Sequence, residues 1–179
     1  MGSLNEGYQV QSPSTSYVTT DIRPDNNFDS PGIIWKDLDF QTPLGVRSYK
    51  WLQNNGTNTA TTAVGDVVVF ADNYALTVST AQADSSANCL AGVAVAVVPK
   101  GSWGWFQTDG YCPVVLVDNS TFALGTQIMI KAGTDKTGTT VGAAGTAPTY
   151  PVIGTALAAG TGTNPYYVVA RLHIGRFGG

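Results

Sequence analysis

Apolar residues between Leu90 and Val117 recur at every second position, the period of a strand and not of a helix. From Leu90 to Val98, Val93, Val95 and Val97 fall on one face, while Gly92, Ala94 and Ala96 fall on the other, which therefore admits only small side chains. Pro99-Lys100-Gly101 predicts a turn, since Pro99 presets φ and Gly101 relaxes the exit. Ser102 to Gln107 predicts a second strand, with Trp103 and Trp105 on one face and Gly104 and Phe106 on the other. Asp109-Gly110 is a strong hairpin signal. Tyr111 to Val117 is accordingly predicted to return as the third strand of an antiparallel meander.

The same alternation marks shorter strands on both sides of this segment. Val67 to Phe70 follows Gly65-Asp66, and Ala75 to Val78 follows a turn at Asp72-Asn73. Thr80 to Asn88 reads as one helical turn or a loop. After a turn at Asp118-Asn119-Ser120, Thr126 to Lys131 is a strand, and Ala132 to Tyr150 is a long excursion of Gly, Thr and Ala that offers little to bury. Val152 to Leu157 and Tyr166 to Ile174 close the pattern. In the last, Tyr166, Val168, Ala170, Leu172 and Ile174 form an apolar face, opposite Tyr167, Val169, Arg171 and His173. Some seven short strands, with no period of 3.6 and no solenoid repeat, predict an all-β body: a small antiparallel barrel or sandwich.

The first 58 residues follow a different rule. Pro13, Pro24, Pro31 and Pro43 interrupt a polar segment that cannot build its own core. Its aromatics, Trp35, Phe40, Tyr49 and Trp51, are too many for a solvated tail. Residues 1–58 are therefore read as an extended N-terminal arm with these four side chains as docking points, and residues 59–179 as the body. Tyr17 to Ile22 is a possible short strand, and Val46 to Leu52 another that enters the body. Gln53 to Ala63 marks the boundary and reads as a plain surface loop.

Composition sharpens the picture on one point. Only 12% of the residues are charged against 43% hydrophobic, so much of the surface must be small and polar, a kind that suits packing against protein. Nine basic and 12 acidic residues give a net charge of −3 with no Lys/Arg cluster, which disfavours nucleic acid and anionic membrane as partners. No apolar run approaches the roughly 18 residues of a spanning helix. Met1 to Val10 lacks the basic start and apolar stretch of a secretory signal. The two cysteines, Cys89 and Cys112, are expected to be buried free thiols.

Catalytic chemistry finds little material. The single histidine, His173, and the absence of a Gly-x-Ser-x-Gly elbow oppose a hydrolytic triad, and one His with two separated Cys gives no zinc spacing. Asp37 and Asp39 share a face, but Asp66, Asp72, Asp84 and Asp109 sit where Asp hydrogen-bonds its own backbone. Gly142-Ala143-Ala144-Gly145 carries no Lys-Ser/Thr and is no phosphate loop. No enzyme activity, cofactor or metal is expected. The cluster Trp103, Trp105, Phe106 and Tyr111 has two readings: a stacking platform for sugars, or aromatics shared between the core and a subunit interface. The second is favoured.

From about Gly65 to Ile174 the order of features resembles the capsid decoration, or cement, proteins of tailed bacteriophages. The points of contact are Gly65-Asp66-Val67-Val68-Val69, then Leu90-Ala91-Gly92-Val93-Ala94-Val95, Val98-Pro99-Lys100-Gly101, and Ile153-Gly154-Thr155-Ala156-Leu157 before Val168 to Leu172. These are fold motifs and not catalytic signatures. The resemblance implies a β-rich body on the outer surface of an assembled head, commonly a homotrimer, with an N-terminal segment reaching along the major capsid protein. It also implies assembly in the bacterial cytoplasm. A carbohydrate-binding or fibre-like receptor module on the virion surface is the alternative.

Overall fold

The computed structural model describes residues 22, 34–39, 45–72, 76–82, 89–118, 121–131, 134–140, 150–162 and 165–174. These residues form an all-β body organised on one long strand, β6 (Trp103–Val117). In its first half β6 pairs antiparallel with β2 (Gly45–Asn54) and β5 (Leu90–Ala94). In its second half it pairs antiparallel with β12 (Tyr166–His173) and touches β9 (Gly138–Thr140) through Val117 and Gly138. Two rings of strands therefore share it. The first runs β2, β4 (Thr77–Ser79), β3 (Val67–Phe70), β5 and back through β6 to β2. The second runs β6, β12, β10 (Val152–Ala156), β8 (Gln127–Ile130) and β9, and closes on β6.

The hairpin expected at Asp109-Gly110 is absent, and the chain runs straight through it. Asp109 pairs with Ser48 of β2 on one side and His173 of β12 on the other. The signal was real but its use differs: Gly110 adopts φ +87°, the left-handed conformation that Asp-Gly advertises, in a continuing strand just past a bulge instead of in a reversal. Opposite Ser48 and Tyr49, β6 spends one extra residue, Thr108, and opposite Val168 and Ala170 it spends another beside Pro113. A bulge bends a strand and tolerates a residue without an N–H, so one strand serves two rings. The buried Gln107 side chain holds the first bend, donating from Nε2 to the carbonyls of Asp109 (3.1 Å) and Tyr111 (2.8 Å).

Each ring encloses a core. Leu52, Val68, Val78, Ala94, Val98 and Phe106 fill the first. Val115, Val117, Phe122, Ile128, Ile153 and Leu172 fill the second, joined by Val67, Val69 and Val93 from the opposite faces of β3 and β5. That explains why β3 reads Val-Val-Val without alternation: both of its faces are buried. β12 keeps the predicted alternation, with Val168, Ala170, Leu172 and Ile174 inward. The strand expected over Leu90–Val98 ends at Ala94, after which Val98 turns back against Gly104, where a Cβ would lie 2.5 Å from Val98 Cγ2. The Pro99–Gly101 turn is as expected, with Ser102 N–H donating to the Pro99 carbonyl at 3.1 Å.

β2 contains the strand expected over Val46 to Leu52 to enter the body, and it is a full member of the first ring. Other elements depart from the sequence reading. β1 (Ile34–Asp39) continues the sheet along the edge of β2. Gln53 to Ala63 is not a plain surface loop. Asn54, Thr59 and Thr62 are buried there, and Asn54 Nδ2 donates to the carbonyls of Ala60 and Val98, both at 2.9 Å, while its Oδ1 accepts from Thr59 Oγ1. The excursion after Ala132 contains β9, and Phe122 of a two-residue strand, β7 (Thr121–Phe122), reaches the second core through pairing with β11 (Gly160–Thr161). The proposed strand Tyr17–Ile22 lies outside the described residues except for Ile22, half-buried against the first core.

Candidate interaction surface

The four proposed arm anchors have different fates. Tyr49 and Trp51 are buried within this chain, on the face of β2 opposite Leu52, so they already have a local destination. Trp35 lies on β1, its side chain outside the described residues, and Phe40 is outside them altogether. Trp51 meets Trp105 across the β2–β6 pairing with ring centroids 5.1 Å apart and planes tilted by 58°, a favoured aromatic geometry. Trp103 and Val95 border this cluster.

The β6 aromatics split likewise. Phe106 is fully buried in the first core, and Trp105 is only 7% exposed. Trp103, on the same face as Trp105, is half-buried, and so is Tyr111 beyond the bulge. The register that stacks Trp51 on Trp105 hides both of these indole rings. This was legible only in part: alternation put Trp103 and Trp105 opposite Phe106, but not what β2 would lay over them.

Ile34, Val46 and Val97 are exposed singly near the first ring, and further exposed apolar residues lie about the outer face of the second ring. Inside that ring point Cys112, Val115, Val117, Val168 and Ala170; Val114 and Leu116 of β6 and Tyr167 and Val169 of β12 alternate outward. Leu116 and Tyr167 are register partners, and Tyr167 is 54% exposed. Its ring lies over Gly65, where a Cβ would come within 2.7 Å of Cε1, and Gly65 in turn accepts from Leu116 N–H at 2.9 Å. Val64 stands beside it. On the far side, Leu157 N–H donates to the Val169 carbonyl at 2.8 Å, and the 71%-exposed Leu124 sits in the turn whose Gly125 N–H bonds Ala156. Among the described residues this sheet face, apolar and partly open to water, is the candidate interaction surface.

The charges around it are mostly balanced internally. Lys131 and Asp118 pair at 2.7 Å, Lys136 and the buried Asp66 at 3.1 Å. Asp66 also accepts from Ala63 N–H, and Asp72 from the N–H groups of Leu76 and Thr77, so both carboxylates hold turns as their positions predicted. Both cysteines are free thiols, but Cys89 is exposed, contrary to expectation, because β5 begins only after it. Burial pushes the Cys112 thiol up to about 11 despite a bond to the Val114 carbonyl and the nearby Arg47. Among the described residues no three His, Cys, Asp or Glu side chains converge to hold a metal ion. A polar groove of about 510 Å³ lies between Asn55–Asn58 and Ala71, Asp72 and Thr77. No protein-family model matches the sequence, and no curated protein matches it either.

Proposed function

We propose that this chain is a structural protein of a tailed-bacteriophage head, binding the outer surface of the major capsid protein as a homotrimer and stabilising contacts between neighbouring capsomers. The observation that carries this reading is the apolar outer face around Leu116, Tyr167, Val64 and Leu157, set in a body with few charges. Such a face gains by being covered, at roughly 25 cal/mol for each Å² of apolar surface removed from water. The near-neutral rim fits a protein partner of ordinary charge and gives nucleic acid no purchase. Along the first ring, β1 paired to β2 and Ile22 against the core place the described part of the N-terminal segment at one margin of the body.

Of the four aromatics on which the glycan-module reading relies, Trp105 and Phe106 are buried, and Trp103 and Tyr111 half-buried. Purified protein added to expanded heads that lack it separates the two. Stoichiometric, symmetric occupancy, measured by sedimentation and seen as ordered density on the shell, supports the capsid reading. Failure to bind heads, with saturable binding of neutral oligosaccharides by the isolated protein, overturns it.

A further inference from the structure

A second feature of the same sheet points to a specific ligand chemistry. Directly opposite residues on neighbouring strands share a face. Arg171 of β12 is the register partner of Tyr111 on β6 and of Thr155 on β10, and Thr155 is the partner of Gln127 on β8. Four polar side chains therefore cross the outer face in one row, about 4.8 Å from strand to strand. Arg171 and Gln127 are exposed, Tyr111 and Thr155 half-buried. Among the described residues the side chains of Tyr111, Arg171 and Thr155 have no hydrogen-bond or ion-pair partner. The next row is different, because there Asp109 faces His173, with carboxylate and imidazole 3.8 Å apart. Between that row and β2 lies a cleft of about 210 Å³ lined by Val46, Asp109, Gly110, Arg171 and His173.

We propose that the row centred on Arg171 is a seat for a carboxylate, supplied by an acidic side chain of a partner protein or by a small free acid. A guanidinium presents parallel N–H donors that match the two oxygens of a carboxylate. Here it stands between two hydroxyls, Tyr111 and Thr155, that donate to the same group from either side. The apolar wall of Val46, 43% exposed, accommodates the carbon chain behind the acid. A phosphate dianion suits the seat less, since Arg171 is its one permanent cation and the Asp109 carboxylate is a row away. The cleft is also too small for a nucleotide. The bend clamped by Gln107 keeps the seat preorganised, which limits the ordering cost of binding.

The full chain provides its own reporter, because His173 is the only histidine and stands two residues from Arg171 on the same face. Its ring protons are followed by NMR while sodium acetate, a capped Gly-Glu-Gly peptide, sodium chloride or sodium phosphate is added at constant ionic strength and pH. Saturable shifts with acetate and peptide in the millimolar range, weaker with phosphate and absent with chloride, are expected. Arg171→Gln, exposed and without a partner to lose, should keep the melting temperature and abolish the shifts. Several-fold tighter binding of the peptide than of acetate assigns the seat to a protein side chain, and equal binding assigns it to a free acid. Non-saturating shifts, or the same shifts in Arg171→Gln, overturn the proposal. None of this depends on capsid attachment, so the two readings fail separately.

Discussion

Gly110→Ala tests whether the shared strand works as described. At this position φ is +87°, so any residue with a Cβ meets the left-handed penalty of about 1–2 kcal/mol. The added carbon also lands 2.2 Å from the Val46 carbonyl oxygen and 3.0 Å from Arg47 Cα. Both are backbone atoms of β2, which cannot swing aside as a side chain would. Relief requires β2 to back away from β6, and strain of this kind adds about 1–3 kcal/mol. The total comes to about 2–5 kcal/mol. Gly101→Ala and Gly125→Ala isolate the conformational part, because φ is +85° and +84° there but a Cβ meets nothing within 4 Å. Urea unfolding of the three variants measures the difference. In a chain of this length each kcal/mol also lowers Tm by about 2–4 °C. If Gly110→Ala costs no more than the two controls, the close approach of β2 at the bend is not a constraint and the account of the bulge is wrong.

Three further outcomes follow from burial and charge. Trp51→Ala, which removes a fully buried ring and its stack on Trp105, should cost about 3–5 kcal/mol, and a variant with unchanged unfolding midpoint contradicts the assigned cluster. In native protein a thiol reagent at neutral pH should label Cys89 promptly and Cys112 only on unfolding; labelling of both at equal rates refutes the burial of Cys112. Because burial raises the folded Cys112 value from 9.0 to about 11, the fold disfavours the thiolate. This contribution is full below pH 9 and is lost as pH rises through about 11, so Cys112→Ala should flatten the alkaline fall in stability. Deleting Met1 to Pro31 should leave a folded β-body by circular dichroism while sharply lowering occupancy on heads, and full occupancy would mean that the body alone supplies the attachment.

Where a residue's role depends on its immediate neighbours, the sequence was a good guide. The alternation of Tyr166 to Ile174, the Pro99–Gly101 turn and the turn-holding Asp66 and Asp72 all follow from local rules of strand period and backbone capping. The failures share a cause in long-range pairing. Asp109-Gly110 specifies a positive φ, and only the arrival of β2 and β12 on both sides decides that the chain continues. Tyr49 and Trp51 read as anchors for a partner because nothing near them in sequence could cover them; β6, more than 50 positions later, does so. The Thr/Asn run at Gln53 to Ala63 reads as a plain surface loop because its partners, Val98 and Thr80, are remote in sequence. On the outer face, Tyr111, Arg171 and Thr155 come together from three strands, a juxtaposition no single stretch contains.

Sharing β6 between two rings also shapes how the chain acquires its structure. Neither ring closes until β6 has been made, and the second waits for β12, whose pairing with β6 joins residues 49 to 64 positions apart. Loop-closure entropy is met before such contacts return anything, so folding is expected to be slow for a domain of this size. On the ribosome, the second half of β6 stays an open edge until the last strand emerges, and in that interval it is the segment most prone to pair with another nascent chain. Once β12 docks, neither core can come apart without opening β6. Its amides from Trp105 to Leu116 should then exchange with solvent only through global unfolding, in one cooperative unit.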